Sequence, residues 1–94
     1  MPPLYEQAAH LLLFLTRAGL VISPGDYHAV LMRLSELLLE ALSRRGPFSH
    51  YQAAADILGD LEARKLVTRA TSARRKILAV LGTGIGNLAP QGQK

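Results

Sequence analysis

The residues best equipped for chemistry are cations gathered in the second half of the chain: Arg64, Lys65, Arg69, Arg74, Arg75 and Lys76. Guanidinium and ammonium groups at such density bind phosphate, through charge and through several N–H donors at once. Just upstream, Ser49, His50, Tyr51 and Gln52 bring side chains that read or touch nucleic acid: glutamine pairs with adenine, serine with either partner, and Tyr or His contacts phosphate or base. The charge is also uneven. From Arg44 onward nine Lys/Arg face three acids, whereas the first 43 residues hold two Arg and four acids. A near-neutral scaffold half joined to a basic half is the distribution expected of a domain that meets a polyanion. A solvated basic surface is the plainer explanation of the same residues.

Other chemistries find little support. There is no cysteine, which excludes thiol catalysis, disulfides and Cys-based zinc sites. Glu36 and Glu40 stand four apart on one helical face, with no histidine or third acid at ligand spacing, so solvation is their expected role. His10 lies in an apolar helix, where a packed or edge position is expected. Gly82, Gly84 and Gly86 precede no Lys-Ser/Thr pair and belong to no strand–helix–strand unit, so they form no phosphate loop. No enzyme and no cofactor is expected.

The elements that must hold these side chains follow from periodicity. Leu4 to Ala18 reads as a helix with Leu4, Ala8, Leu11, Leu12, Leu15 and Ala18 on one face, stopped by Gly19. Leu13 and Phe14 widen that face, which suggests burial against both the core and a partner. Leu20-Val21-Ile22 is a short strand. A second helix is expected from about Pro24 to Ser43, with Ser23 as its cap, a conceivable break near Ser35, and Gly46-Pro47 as its stop. Ser49 caps a third helix over about 50–64, where Ala54, Ile57, Leu58 and Leu61 face inward. Its three consecutive alanines, 53–55, make it slim enough either to approach a DNA groove or to pack closely on other helices.

Beyond Lys65 the pattern turns β-prone. Residues 66–69 and 76–80 are expected to pair as a hairpin around a basic turn, although Ser72 is also placed to cap a fourth helix over 73–81 closed by Gly82. The expected fold class is therefore mainly α with a small β-wing, three helices plus a two-strand hairpin. Residues 1–81 are expected to form the domain and 82–94 a flexible Gly-rich tail, with Ile85 and Leu88 available for a partner.

The order helix, strand, helix, helix, hairpin resembles the winged helix-turn-helix, and particular residues are similar to its PadR-like branch. Leu11-Leu12-Leu13-Phe14-Leu15 before Gly19 resembles that family's first helix, and Pro24-Gly25-Asp26-Tyr27 its second-helix opening, with Asp26 splitting the usual Gly-Tyr pair. Leu58, Leu61, Glu62 and Leu66-Val67 are similar to the end of its recognition helix and the start of its wing, and Arg74-Arg75-Lys76-Ile77 to the basic approach to the last strand. Lys65 stands where a glycine usually precedes the Leu-Val pair, and the long C-terminal dimerisation helix of many members is missing. Small archaeal versions of this fold serve as DNA-partition adaptors.

The resemblance implies a homodimer that sets two recognition helices in successive major grooves, about one helical turn apart. Ser49, His50, Tyr51 and Gln52 would then reach base edges, and Arg69, Arg74, Arg75 and Lys76 the backbone phosphates or the minor groove, with Arg64 and Lys65 as flanking phosphate contacts or core-edge residues. Its expected roles are transcriptional regulation or plasmid partition on double-stranded DNA in the cytoplasm, with dimerisation through the first helix. No apolar run approaches the roughly 20 residues that span a bilayer, and no secretory leader is recognisable, so a soluble, membrane-independent protein is expected. The rival class is an all-helical interaction module or viral structural subunit that binds a protein through its leucine-rich helices, and it requires residues 73–81 to be helical.

Overall fold

The computed structural model describes residues 3–44 and 49–89. The expected stop at Gly46-Pro47 and the chain after Ala89 lie outside the described residues. In chain order the elements are α1 (Leu4–Arg17), β1 (Val21–Ile22), α2 (Tyr27–Leu42), α3 (His50–Ala63), β2 (Val67–Thr68), a 3-10 turn (Thr71–Ala73) and α4 (Arg74–Leu88). The protein is mainly helical with one small sheet, in which β1 and β2 run antiparallel with Val21 opposite Thr68 and Ile22 opposite Val67.

Among the described residues one core serves the four helices. Leu12 and Leu15 of α1, Leu34 and Leu38 of α2, Leu61 of α3, and Ile77, Leu78, Leu81 and Ile85 of α4 are almost wholly buried. Each such side chain contributes about 1.5–3 kcal/mol of hydrophobic stabilisation relative to exposure. No polar or charged side chain is fully buried among the described residues. No helix of the described chain is long and apolar enough to cross a membrane.

The expected wing hairpin does not form. Residues 76–80 lie inside α4, and β2 pairs with β1 instead. The cause is visible in the periodicity: Ile77, Leu78, Leu81 and Ile85 recur at helical spacing and all four are buried. The β-branched look of Ile77 to Val80 misleads because the period continues past it, through three glycines. None of them breaks α4, and two of them, Gly84 and Gly86, permit close approach of neighbouring side chains. A Cβ on Gly84 would stand 2.6 Å from Leu11 Cδ1, and one on Gly86 would stand 3.0 Å from His50 Nδ1. The expected boundary at residue 82 accordingly falls inside α4, which continues the domain to Leu88. Ser72 sits within the 3-10 turn and caps nothing; α4 begins without any side-chain cap.

Two smaller expectations also change. Ser23 does not cap α2, which starts at Tyr27 after a turn through Gly25 (φ +81°). Its hydroxyl instead donates to the Lys65 carbonyl at 3.0 Å, tying the start of α2 to the end of α3. Ser35 makes no break: α2 is continuous, and the Ser35 hydroxyl donates back to Leu31 O at 2.8 Å.

Candidate nucleic-acid interface

Ser49 does cap α3, accepting the Gln52 N–H on its Oγ at 3.3 Å. The alanines of α3 work as helix-packing residues, since Ala53 and Ala54 are buried. The outward residues are His50, Tyr51, Gln52, Asp56 and Gly59. His50 and Tyr51 lie against α4, where they share a depression with Gly82, Thr83 and Gly86. Gln52 donates to Asp56 Oδ1 at 3.0 Å, and Arg44 at the end of α2 approaches Asp56 Oδ2 at 3.6 Å. The start of α3 is thus a mixed polar corner.

The basic residues gather at the other end of the same helix, about 20 Å away at 1.5 Å per residue. There the exits of α1 and α3 and the start of α4 are clasped together. A Cβ on Gly19 would stand 2.9 Å from Ala73 Cβ, so α1 ends directly against the turn that begins α4. The β1–β2 pair and the Ser23–Lys65 bond complete the clasp. Arg64, Arg69, Arg74, Arg75 and Lys76 all belong to the segments that meet at this end, at the α3 exit, after β2 and in the first turn of α4, whereas Ser49, His50, Tyr51 and Gln52 belong to the opposite end of α3. Arg17 is an addition that sequence reading passed over: it borders the same groove as Lys76, with its guanidinium 5.9 Å from the Phe14 ring centre. The available signal was its place just before the Gly19 stop, which puts it at a helix exit.

These cations differ in how committed they are. Arg69 is held, its side chain only 17% exposed and its Nε 2.8 Å from Glu62 Oε2, off-axis for a hydrogen bond. Arg64 donates to Asp60 Oδ1 at 2.8 Å from the same helix. Asp60 in turn receives Arg33 of α2 twice, Nε to Oδ1 at 3.0 Å and Nη2 to Oδ2 at 2.8 Å. Arg33, then burial acting against it, then Arg64 set the Asp60 carboxyl, with a net shift below the usual carboxylate range. Arg33 rises in turn, chiefly through Asp60 and then through Glu36. This buckle joins α2 to α3 and uses up its charges.

By contrast Lys65, Arg74, Arg75 and Lys76 are exposed and make no ion pair among the described residues. Three of them occupy the first turn of α4, which holds no acid. The helix dipole is positive at that end, so each cation there is opposed by about 0.3–1 kcal/mol unless an anion is near. Lys65 adds a backbone signal: its φ is +61°, the only positive φ outside glycine among the described residues. Among the described residues no three His, Asp or Glu side chains group as metal ligands. No family model, no curated protein and no solved structure matches this chain.

Proposed function

We propose that this chain is a double-stranded DNA-binding domain that grips the phosphate backbone with the end where α1, α3 and α4 meet. The observation that carries the reading is the uncompensated group Lys65, Arg74, Arg75 and Lys76, set around a helix N-terminus whose dipole already favours an anion. The order helix, strand, helix, helix, strand up to Thr68 is consistent with a winged-helix ancestry of PadR-like type, with α4 standing where a wing would be. Backbone contact then dominates over base reading, because Ser49 to Gln52 lie at the far end of α3. Roles in regulation or partition both fit such a domain. Self-association through α1 belongs to the same reading, since Leu13 and Phe14 on its outer side are half exposed.

The test is a salt titration of duplex binding. Arg74→Ala with Arg75→Ala weakens binding to specific and random duplex alike and lowers the slope of log K against log salt by about 0.9 per lost phosphate contact. Unchanged affinity for both duplexes would remove the proposal. A second reading is favoured by one observation, the helical state of residues 74–88: an interaction module that binds a protein. It predicts that no duplex is retained at physiological salt.

A further inference from the structure

The outer surface between α1 and α4 carries a groove of about 600 Å³. From α4 it is lined at helical intervals by Lys76, Val80, Thr83 and Asn87, and from α1 by Leu11 and Phe14. A neighbouring depression shares Leu11, Phe14, Gly84 and Asn87 with it and continues it toward Gln7 and His10. Along α4 the lined stretch from Lys76 to Asn87 covers about 16 Å, or three helical turns. Its walls are apolar and its two cations, Arg17 and Lys76, sit together at one end. That combination suits an amphipathic helix with carboxylates beside its apolar residues.

The chain itself presents such a helix face. On α2 the outward strip holds Met32 and Leu39, 42% and 58% exposed, flanked by Glu36 and Glu40. At 100° per residue these four lie within about 100° of one another, on one side of the helix. Glu36 spends one oxygen on Arg33 at 3.0 Å, and Glu40 makes no ion pair among the described residues. We infer that the α1/α4 groove receives the outer face of α2 from a second copy of this chain, with Glu36 and Glu40 against Arg17 and Lys76. This makes specific the self-association proposed above. The two surfaces are different patches, so the contact is head-to-tail and propagates beyond a dimer unless rotation closes a ring.

Two one-sided variants test it, measured without DNA by sedimentation. Arg17→Glu with Lys76→Glu disables the groove; Glu36→Lys with Glu40→Lys disables the strip. All four side chains are exposed or bordering solvent, and circular dichroism checks that the helices persist. The wild-type average mass climbs with concentration, each variant alone remains monomeric, and their mixture forms a 1:1 heterodimer that grows no further. Opposed-charge contacts of this kind change the dissociation constant by about tenfold or more on reversal. A strip variant that still dimerises alone would overturn the face assignment while leaving self-association through α1 standing. A wild type that stays monomeric at about 100 µM, well above the micromolar constants of weak complexes, would overturn both. A mixture that stays monomeric while the wild type assembles would exclude this pairing of faces.

Discussion

The exits of α1 and α3 are built alike and then diverge at one residue. Each helix ends with a paired backbone cap: Gly19 N–H to Thr16 O and Leu20 N–H to Leu15 O in one, Lys65 N–H to Glu62 O and Leu66 N–H to Leu61 O in the other. Each then delivers a leucine and a two-residue strand, and the two strands pair. At the left-handed position α1 uses glycine and α3 uses lysine. Gly19 has no alternative, because its φ of +117° suits no L side chain and Ala73 blocks the space. Lys65 is open to solvent with φ +61°, where a side chain is tolerated at a cost. The α1 exit is therefore set by packing, whereas the α3 exit keeps a strained cation that packing does not require.

The largest effect is expected at Gly19. Gly19→Ala should lose about 1–3 kcal/mol or more, from backbone strain together with the collision against Ala73, read as a lower urea midpoint at unchanged slope. Full stability in that variant would mean the clasp between α1 and α4 is looser than described. The converse change at Lys65 sharpens the contrast. Lys65→Gly should stabilise the fold by about 0.5–1 kcal/mol while lowering the salt slope of duplex binding by about one phosphate contact. Stabilisation without any change in binding would leave the strained lysine unexplained.

A smaller effect lies at the buckle behind the α3 exit. Because the folded Asp60 carboxyl sits below its unfolded value, its contribution is present above about pH 4 and lost as pH falls through the depressed value. Asp60→Asn should therefore be less stable than the wild type at neutral pH, and the two should converge on acidification. A gap of constant size between neutral and low pH would show that the Arg33 contact does not act through the carboxylate charge. The smallest effect is expected at the opposite end of α3: Gln52→Ala should leave the salt slope unchanged, since Gln52 engages Asp56 and lies away from the cations. A loss of discrimination between duplexes in that variant would restore base reading to the start of α3.

How much of this was legible in the sequence differs from region to region. The inward faces of α1 and α3 could be read, as could the Ser49 cap and both short strands, because their signals are local. The strand pairing could not, since Ile77 to Val80 has the composition of a strand and only its continuation to Leu81 and Ile85 gives the helical period. Glycines at 82, 84 and 86 hid that continuation. At Gly84 and Gly86 the space is taken by Leu11 and His50, a tertiary requirement with no local mark. The basic residues were identifiable by type, but which of them remain unpaired depends on Asp60 and Glu62, whose partners come from the fold.

The most direct measurement of the central proposal is amide chemical-shift mapping of the protein titrated with a short random duplex at low salt. The cationic-end account predicts that shifts concentrate at residues 17–19, 64–66 and 69–76, and fade together as salt is raised. Shifts concentrated at Ser49 to Gln52, or none at all, would contradict it.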